Sequence, residues 1–269
     1  NISKATISKY EKGTTSPRAS ILSALAKALE CSPEYLLSTE ERTIQWLRFR
    51  RKTSLSKKAI AHIKETAIEW LQARLSVEEA IGRRHRKSDI SSYKVDAIEQ
   101  AEGIAQDLRD VWNVGNWPIE SLTLATEEFG VFVIEIEMDK NLDGLSGIAD
   151  DEIRFVVIPL TGPVDRKRMN LAHELGHILI QPTSDEDFDE KVAFRFGAAL
   201  LIPKDVMYKR IGKKRSTIDL RELLILKQEY GISVQALVRR CFDLQIISQR
   251  TYKNLNIEMR SKQWHKNEP

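Results

Sequence analysis

The stretch LAHELGHILI, residues 171–180, constrains the fold more than any other part of the chain. His173 and His177 are one helical turn apart, so both imidazoles point the same way and can reach one metal ion. Glu174 lies about 100° further around the helix, where it can reach water beside such a metal. The apolar neighbours predict a buried helix. Because a buried, unpaired carboxylate costs on the order of several kcal/mol, this helix needs partners for its polar side chains.

A third ligand decides between a metal site and a core helix whose histidines bond backbone carbonyls, because catalytic zinc takes three protein ligands. Ile180 and Thr183 occupy the positions of the glycine and third histidine in HExxHxxGxxH, so that longer pattern is absent. The next helix offers Glu190, and its small residues Ala193 and Gly197 allow a close approach to the HELGH helix. Asp187 and Asp189 are rival ligands, whereas Asp185, Glu186 and Asp187 read as a solvated acidic loop.

The composition is that of a globular protein. The 269 residues are 42% apolar and 30% charged, which argues against disorder and suffices for two units that each bury a core. No apolar stretch approaches the roughly 20 residues that span a bilayer, and NISKATISKY is not a signal peptide. We therefore expect a cytoplasmic protein with no membrane partner. Cys31 and Cys241 lack a CxxC partner, so we interpret both as reduced core residues.

The charge is spread unevenly along the chain. Residues 1–100 hold 19 Lys and Arg against 12 Asp and Glu, a net +7, whereas residues 101–269 hold 23 against 27, a net −4. Two basic runs carry the excess, RFRRK (48–52) and RRHRK (83–87). A basic first third indicates an anionic partner, most commonly nucleic acid. The alternative for the two runs is a solvated helix surface.

The first 37 residues predict three short helices. Ser3 as a cap and Gly13 as a stop indicate a helix over residues 4–12, with Ile7 and Tyr10 facing inward. SPEYLL predicts the last short helix. The second helix carries an apolar stripe at helical spacing, made of Ile21, Leu22, Leu25, Ala26 and Leu29. The residues that the first helix leaves outside are Lys4, Ala5, Thr6, Ser8 and Lys9.

This segment resembles the XRE-type helix-turn-helix family. In that family a recognition helix of the form S-x-x-T-I-S-x-Y-E-x-G precedes a proline turn and an L-x-x-L-A-x-A-L helix, and here these read SKATISKYEKG, TTSPRAS and LSALAKAL. The resemblance implies that the five outward residues of the first helix bind DNA. The family's first two helices are missing and the chain does not begin with Met, so we expect it to be a piece of a longer protein.

The remaining patterns predict an α+β unit behind a helical linker. Residues 55–81 and 95–113 read as helices, separated by the polar loop GRRHRKSDISSY. GVFVIEIEMD and IRFVVIPL read as strands of a small antiparallel sheet, joined by the turn NLDGLSGIADDE. Four helices then follow, at 165–181, 188–201, 218–230 and 233–244.

The second half of the chain resembles the ImmA/IrrE family of zinc metallopeptidases. The HELGH helix is followed by EKVAFRFGAALLIP, which is similar to the family's E-x-x-A-n-x-F-A-x-x-L-L-x-P helix, and LRDVWNVGNWPIESL and DGLSG agree as well. The resemblance implies zinc as cofactor, a zincin-like fold and a gluzincin-like endopeptidase, in which His173, His177 and Glu190 are metal ligands and Glu174 is the catalytic general base. Phe194 and Val192 depart from the family pattern, which puts activity in doubt: Phe194 replaces a polar residue, and Val192 replaces an acidic one.

The two resemblances together imply a DNA-binding transcriptional regulator with a peptidase domain. Its protein substrate would be one regulatory protein, such as a helix-turn-helix repressor or a co-encoded regulator, in a stress, phage or toxin–antitoxin response. The alternative is a non-proteolytic repressor or antitoxin whose degenerate peptidase-like domain senses a ligand or partner. A homodimer is compatible with either hypothesis. Three arginines near the motif are candidates for stabilising the oxyanion, or else form surface salt bridges: Arg166, Arg168 and Arg195.

These inferences predict four regions. Residues 1–38 form an incomplete helix-turn-helix, residues 39–94 a helical linker, residues 95–258 the ImmA/IrrE-like metallopeptidase domain, and residues 259–269 a tail.

Overall fold

The computed structural model describes residues 2–37, 42–47, 56–82, 92–139, 142–264 and 268–269. The chain forms two compact units, Asn1–Arg42 and Thr43–Pro269. The basic runs RFRRK and RRHRK lie outside the described residues. No helix in the described ranges combines the length and apolar character that a bilayer crossing requires.

The first unit consists of three helices, α1 (Lys4–Glu11), α2 (Ala19–Leu29) and α3 (Pro33–Leu37). The Ser3 hydroxyl accepts a hydrogen bond from the Thr6 backbone N–H at 3.1 Å, which caps α1 as the sequence predicts. Leu22 and Ala26 of α2 are buried. Ile7, predicted to face inward, is 36% exposed, and α1 buries none of its residues fully.

The second unit is built on a four-stranded sheet, β1 (Ile44–Trp46), β2 (Val131–Ile136), β3 (Leu145–Ala149) and β4 (Ile153–Pro159), in the order β1-β3-β4-β2. Pairs β1–β3 and β3–β4 are antiparallel, whereas β2–β4 is parallel.

The α+β class is confirmed, but the sheet is mixed rather than antiparallel. The reason is β3, whose sequence LSGIA lies inside the segment interpreted as one long turn. Its presence reverses the chain a second time, so that the two strongly β-branched strands, β2 and β4, run in the same direction. Asp150 and Asp151 make the tight β3–β4 turn with φ of 51° and 60°.

Each face of the sheet is covered by helices. On one face α4 (Lys57–Ala80) buries Ala67 and Leu71 in a cluster with Phe155 and Val157. The other face packs against α7 (Val164–Leu179), together with α5 (Ala101–Val111) and α8 (Glu186–Leu201). The remaining helices are α6 (Leu122–Glu128), α9 (Lys204–Arg210), α10 (Leu220–Tyr230), α11 (Val234–Asp243) and α12 (Gln249–Ser261), and a 3-10 turn, Ile98–Gln100, precedes α5.

The stretch interpreted as a linker contributes to the second unit. β1 pairs with β3, and α4 packs on the sheet. At the other end Glu268 lies against the start of α11, where its carboxylate accepts hydrogen bonds from the backbone N–H groups of Val234 and Gln235. The division of the chain at residues 38, 94 and 258 stays a prediction.

Candidate metal centre

Helix α7 carries the HELGH sequence in its last two turns, and every residue from Leu171 to Leu179 is buried. The end of the helix is held by a bridge to Tyr93, whose backbone N–H donates to the Leu179 carbonyl at 2.8 Å. Tyr93 in turn accepts from the Gln181 N–H at 2.9 Å. These bonds fix the turn of helix that carries His177.

Three side chains converge between α7 and α8. The Nε2 atoms of His173 and His177 are 3.1 Å apart. Glu190 Oε2 lies 3.5 Å from His173 Nε2, and Glu190 Oε1 lies 3.3 Å from His177 Nε2. Donor atoms that lie about 2.0–2.2 Å from a tetrahedral zinc ion are roughly 3.3–3.6 Å from one another. The spacing and the nitrogen and carboxylate chemistry of these donors therefore fit a metal ion of this kind, and the three residues form a group that can hold one.

The close packing of α7 on α8 makes this convergence possible. A Cβ added at Gly197 would lie 3.0 Å from the His173 backbone nitrogen, and one added at Gly176 would lie 3.1 Å from Ala193 Cα. Real Cβ atoms essentially never come closer than 3.0 Å to another heavy atom, so at Gly197 a methyl group has no spare room. The small residues of both helices thus set the distance across which Glu190 reaches the histidines, as their positions in the sequence predict.

Glu174 lies beside this cluster, on the side of the sheet. Its Oε2 accepts a hydrogen bond from Ser146 Oγ at 2.8 Å, and its Cγ and Oε1 lie against Gly144. Burial raises the pKa of Glu174 to about 7, although the charge of a neighbouring His177 and the Ser146 hydroxyl act in the opposite direction. A carboxyl group with such a pKa exchanges a proton readily near neutral pH.

The acidic residues that compete with Glu190 as ligands are not grouped with the two histidines. Asp189 is buried, and it accepts hydrogen bonds from the backbone N–H of Thr183 at 2.9 and 3.1 Å and from its hydroxyl at 2.8 Å. Asp185 caps α8 by accepting from the Phe188 N–H, and Asp187 is exposed. Among the described acidic residues before Ala193, Glu190 is the one grouped with both histidines.

The two departures from the family pattern have different surroundings. Val192 is buried in the core behind α8, where an acidic side chain would be costly. Phe194 is 42% exposed, and its ring centroid lies 4.2 Å from that of His173. The Phe194 ring therefore contacts one of the candidate ligands directly.

Comparison with family models finds a match in each of the two units of the chain. Residues 126–242 match the IrrE N-terminal-like domain, and residues 1–36 match the Helix-turn-helix family. The chain carries an IrrE N-terminal-like domain. The first match spans β2 to α11 and includes the complete cluster, whereas the second covers the three helices of the first unit. The chain matches none of the curated proteins with which it was compared.

Two of the three arginines proposed for the oxyanion bind residues that precede the matched range 126–242. Arg195 is buried in an ion pair with Glu102, and Arg168 donates to the Ile119 carbonyl at 2.8 Å. Arg166 is exposed and pairs with Asp143 at 2.6 Å. The contacts of Arg168 and Arg195 favour roles in stabilising the fold rather than the oxyanion.

Sequence reasoning missed Ser146 as the partner of Glu174. Ser146 is the serine of DGLSG, a motif that in the sequence indicates only the family resemblance. The same motif supplies Gly144, where a Cβ would lie 2.9 Å from Glu174 Cγ. The DGLSG motif at the start of β3 was therefore the sequence signal that could have pointed to Ser146.

The predicted DNA-binding residues lie on α1 of the helix-turn-helix unit. Lys4, Ala5 and Lys9 are exposed, whereas Thr6 and Ser8 are half-buried. The Thr6 hydroxyl lies 2.9 Å from Ser3 Oγ, within the helix cap. The helix-turn-helix match supports DNA binding by the chain, while the role of each of these residues stays a prediction.

Proposed function

We propose that this chain is a DNA-binding regulator whose IrrE N-terminal-like domain is a zinc-dependent endopeptidase. The observation that carries the proposal is the convergence of His173, His177 and Glu190, with donor atoms 3.1–3.5 Å apart. The presence of a helix-turn-helix unit and an ImmA/IrrE-like domain on one chain supports a role as a DNA-binding regulator.

His173, His177 and Glu190 would hold the zinc ion. The chemistry that zinc supplies when bound is Lewis acidity, which lowers the pKa of water towards neutrality and polarises a carbonyl group. Glu174 is not one of these ligands, and its buried carboxylate lies one residue from His173, beside the cluster.

Glu174 would be the group that moves the proton. Its carboxylate takes a proton from the attacking water and gives it to the leaving amine, so that the peptide C–N bond breaks and a new C–O bond forms. Burial of Glu174, which raises the pKa of its carboxyl group, supports this role, since the group must both accept and release a proton. The Ser146 hydroxyl, 2.8 Å away, holds the carboxylate in one orientation.

The protein substrate would be a single regulatory protein, such as a helix-turn-helix repressor or a co-encoded regulator. Cleavage would end repression in a stress, phage or toxin–antitoxin response. This part of the proposal rests on the family resemblance, and the DNA-binding unit on the same chain supports a role in regulation.

A second candidate is a non-proteolytic regulator whose domain senses a ligand or partner. The contact between Phe194 and His173 favours it, because the apolar ring occupies a position where a polar residue would support the ligand histidine. Loss of such support typically costs about 10- to 100-fold in metal affinity.

The experiment that separates the two candidates replaces Glu174 by Gln and the exposed Glu128 by Gln as a matched control. Under the peptidase proposal Glu174→Gln retains zinc but lowers the cleavage rate by about 10²- to 10⁴-fold. Repression of a reporter gene and immunoblots of the co-encoded regulator are followed in cells under DNA-damaging stress. A normal stress response in Glu174→Gln cells, with no cleaved species in either strain, would contradict the peptidase proposal and favour the sensor.

A further inference from the structure

Strand β1 occupies the edge of the sheet that is nearest to Glu174. It pairs antiparallel with β3, with Ile44 opposite Ala149 and Trp46 opposite Gly147. Without β1, the edge of β3 would offer free backbone N–H and C=O groups, which is the kind of surface to which an extended peptide adds as a further strand. A segment of the chain itself therefore lies where such a peptide would bind.

The end of this segment is joined to the candidate catalytic group through one residue. The Leu47 backbone N–H donates to the Ser146 carbonyl at 2.9 Å, and the Ser146 hydroxyl donates to Glu174 Oε2 at 2.8 Å. The register continues from Trp46–Gly147 to Leu47–Ser146, so the chain advances along β3 towards Gly144, which contacts Glu174. A peptide that pairs with β3 in this register brings its backbone, rather than its side chains, towards the candidate metal centre.

The side chains of the segment alternate between the two faces of the sheet, as in a regular strand. Trp46 packs on the α4 side, with its ring centroid 5.3 Å from that of Phe155. Leu47 packs on the α7 side. On that side a cavity of about 340 Å³ is lined by Gln45, Leu47 and His177.

We propose that residues 43–47 are a resident occupant of a peptide-binding edge, and that an extended peptide must displace them to reach the centre. The ligand class is an extended segment with a large apolar side chain at the position of Trp46. This inference rests on the proposed peptidase function for its purpose, but the binding event itself requires no metal.

The contacts of the segment make such an exchange feasible. β1 is only three residues long and lies at the edge of the sheet, where it pairs with β3 alone. Its contacts include the Trp46–Phe155 pair, the Lys64 ammonium 4.8 Å from the Trp46 ring centroid, the hydrogen bonds between Thr43 and Asp150 at 2.9 and 3.0 Å, and the Leu47–Ser146 bond. An incoming strand would replace the backbone bonds one for one, so the apparent affinity for peptide depends on the fraction of molecules in which β1 has left the edge.

The test uses the full chain with its metal removed by a chelator and a fluorescein-labelled peptide with the sequence of residues 42–48. Trp46→Ala removes the aromatic anchor, and Leu47→Pro removes the N–H that donates to Ser146. By fluorescence anisotropy both variants bind the peptide at least about tenfold more tightly than the wild type. The exposed tryptophan of α4 supplies the matched control, because Trp70→Ala leaves β1 intact and binds like the wild type.

A reversible lock tests the same point by holding β1 on the sheet instead of releasing it. Ile44→Cys with Ala149→Cys places two cysteines on directly opposite residues, and their disulfide ties β1 to β3. The oxidised protein binds the peptide at least about tenfold more weakly than the same protein after reduction.

Equal binding by the wild type, Trp46→Ala and Leu47→Pro, or equal binding of a scrambled peptide, would overturn the inference. If either variant fails to fold by circular dichroism, the comparison of oxidised and reduced locked protein decides. Peptide binding without any cleavage after zinc is restored would leave this inference standing and contradict the peptidase proposal. If the protein cleaves another protein although its variants and its reduced form bind no peptide, the peptidase proposal stands and this inference is contradicted.

Discussion

Gly197 of α8 lies against the backbone nitrogen of His173 in α7, and a Cβ at residue 197 would be only 3.0 Å from that nitrogen. Met169 Cε and the Ala172 carbonyl carbon lie at 3.1 and 3.2 Å from the same point. A side chain at residue 197 would therefore require the helix that carries Glu190 and the helix that carries the histidines to shift relative to each other. A glycine thus determines the geometry of the candidate centre.

Gly197→Ala tests this relationship. The methyl group forces α8 away from α7, which we expect to lower the free energy of unfolding by about 1–3 kcal/mol and to weaken zinc binding. Gly103 of α5 is the matched control, because a Cβ there meets nothing within 4 Å. Gly103→Ala is expected to stabilise the protein by roughly 0.5–1 kcal/mol. Chemical denaturation and zinc titration measure both effects, and unchanged zinc affinity in Gly197→Ala would show that the helix spacing does not control the centre.

Glu190→Gln tests the third ligand. Replacing one carboxylate oxygen by an amide removes the charged donor, so we expect zinc affinity to fall by more than the roughly 10- to 100-fold that loss of a supporting residue costs. Asp187→Asn is the control, since Asp187 is exposed. Metal content is measured by elemental analysis after purification without added zinc. Retained zinc in Glu190→Gln, together with loss in an Asp187 or Asp189 variant, would assign the ligand elsewhere.

Cys241 is expected to be inert in the folded protein. Burial raises the pKa of its thiol from 9.0 to about 12, which lowers the thiolate fraction near pH 8 by about 10³-fold. The folded thiol keeps its proton at pH values where the unfolded thiol loses it, so its contribution to stability falls as the pH rises above about 9.

The measurement for Cys241 uses the Cys31→Ser variant, in which it is the only thiol, because the chain has two cysteines. Thiol labelling at pH 8 is compared for the native and the denatured protein. Labelling of the native protein as fast as the denatured protein would contradict the buried position of Cys241.

Lys4→Ala and Lys9→Ala test DNA binding through α1. Removing a lysine that neutralises one phosphate is expected to reduce the slope of log K against log salt by about 0.9. Lys27 is exposed on α2 and serves as the control. The measurement is fluorescence anisotropy with duplex DNA between about 50 and 200 mM salt. Over that range the affinity of electrostatic binding changes by roughly orders of magnitude. An unchanged slope in both α1 variants would show that these lysines do not bind phosphates, and absence of binding by the full-length protein at the lower salt would contradict DNA binding altogether.

The sequence by itself predicted the HELGH helix, the strands β2 and β4 and a ligand set for the candidate centre, and that ligand set stays a prediction. A helical period around HELGH requires that His173 and His177 point the same way, and the structure has α7 at Val164–Leu179. The small residues at 193 and 197 pointed to a closely packed second helix, which selected Glu190 before its neighbours. The relation between His173 and His177 depends on spacing within one helix, where the backbone geometry leaves little freedom, whereas the choice of Glu190 depends on how closely two helices can pack.

Only the tertiary structure decided how the sheet is ordered and what surrounds Glu174. The direction of β2 relative to β4 depends on β3, a strand of five residues whose LSGIA sequence contains a glycine and has a weak pattern. β1 is shorter still and pairs with a strand about 100 residues away in sequence. Such long-range pairings leave no periodic trace in short segments. The same packing joins Leu47, Ser146 and Glu174, three residues whose relation no local pattern encodes.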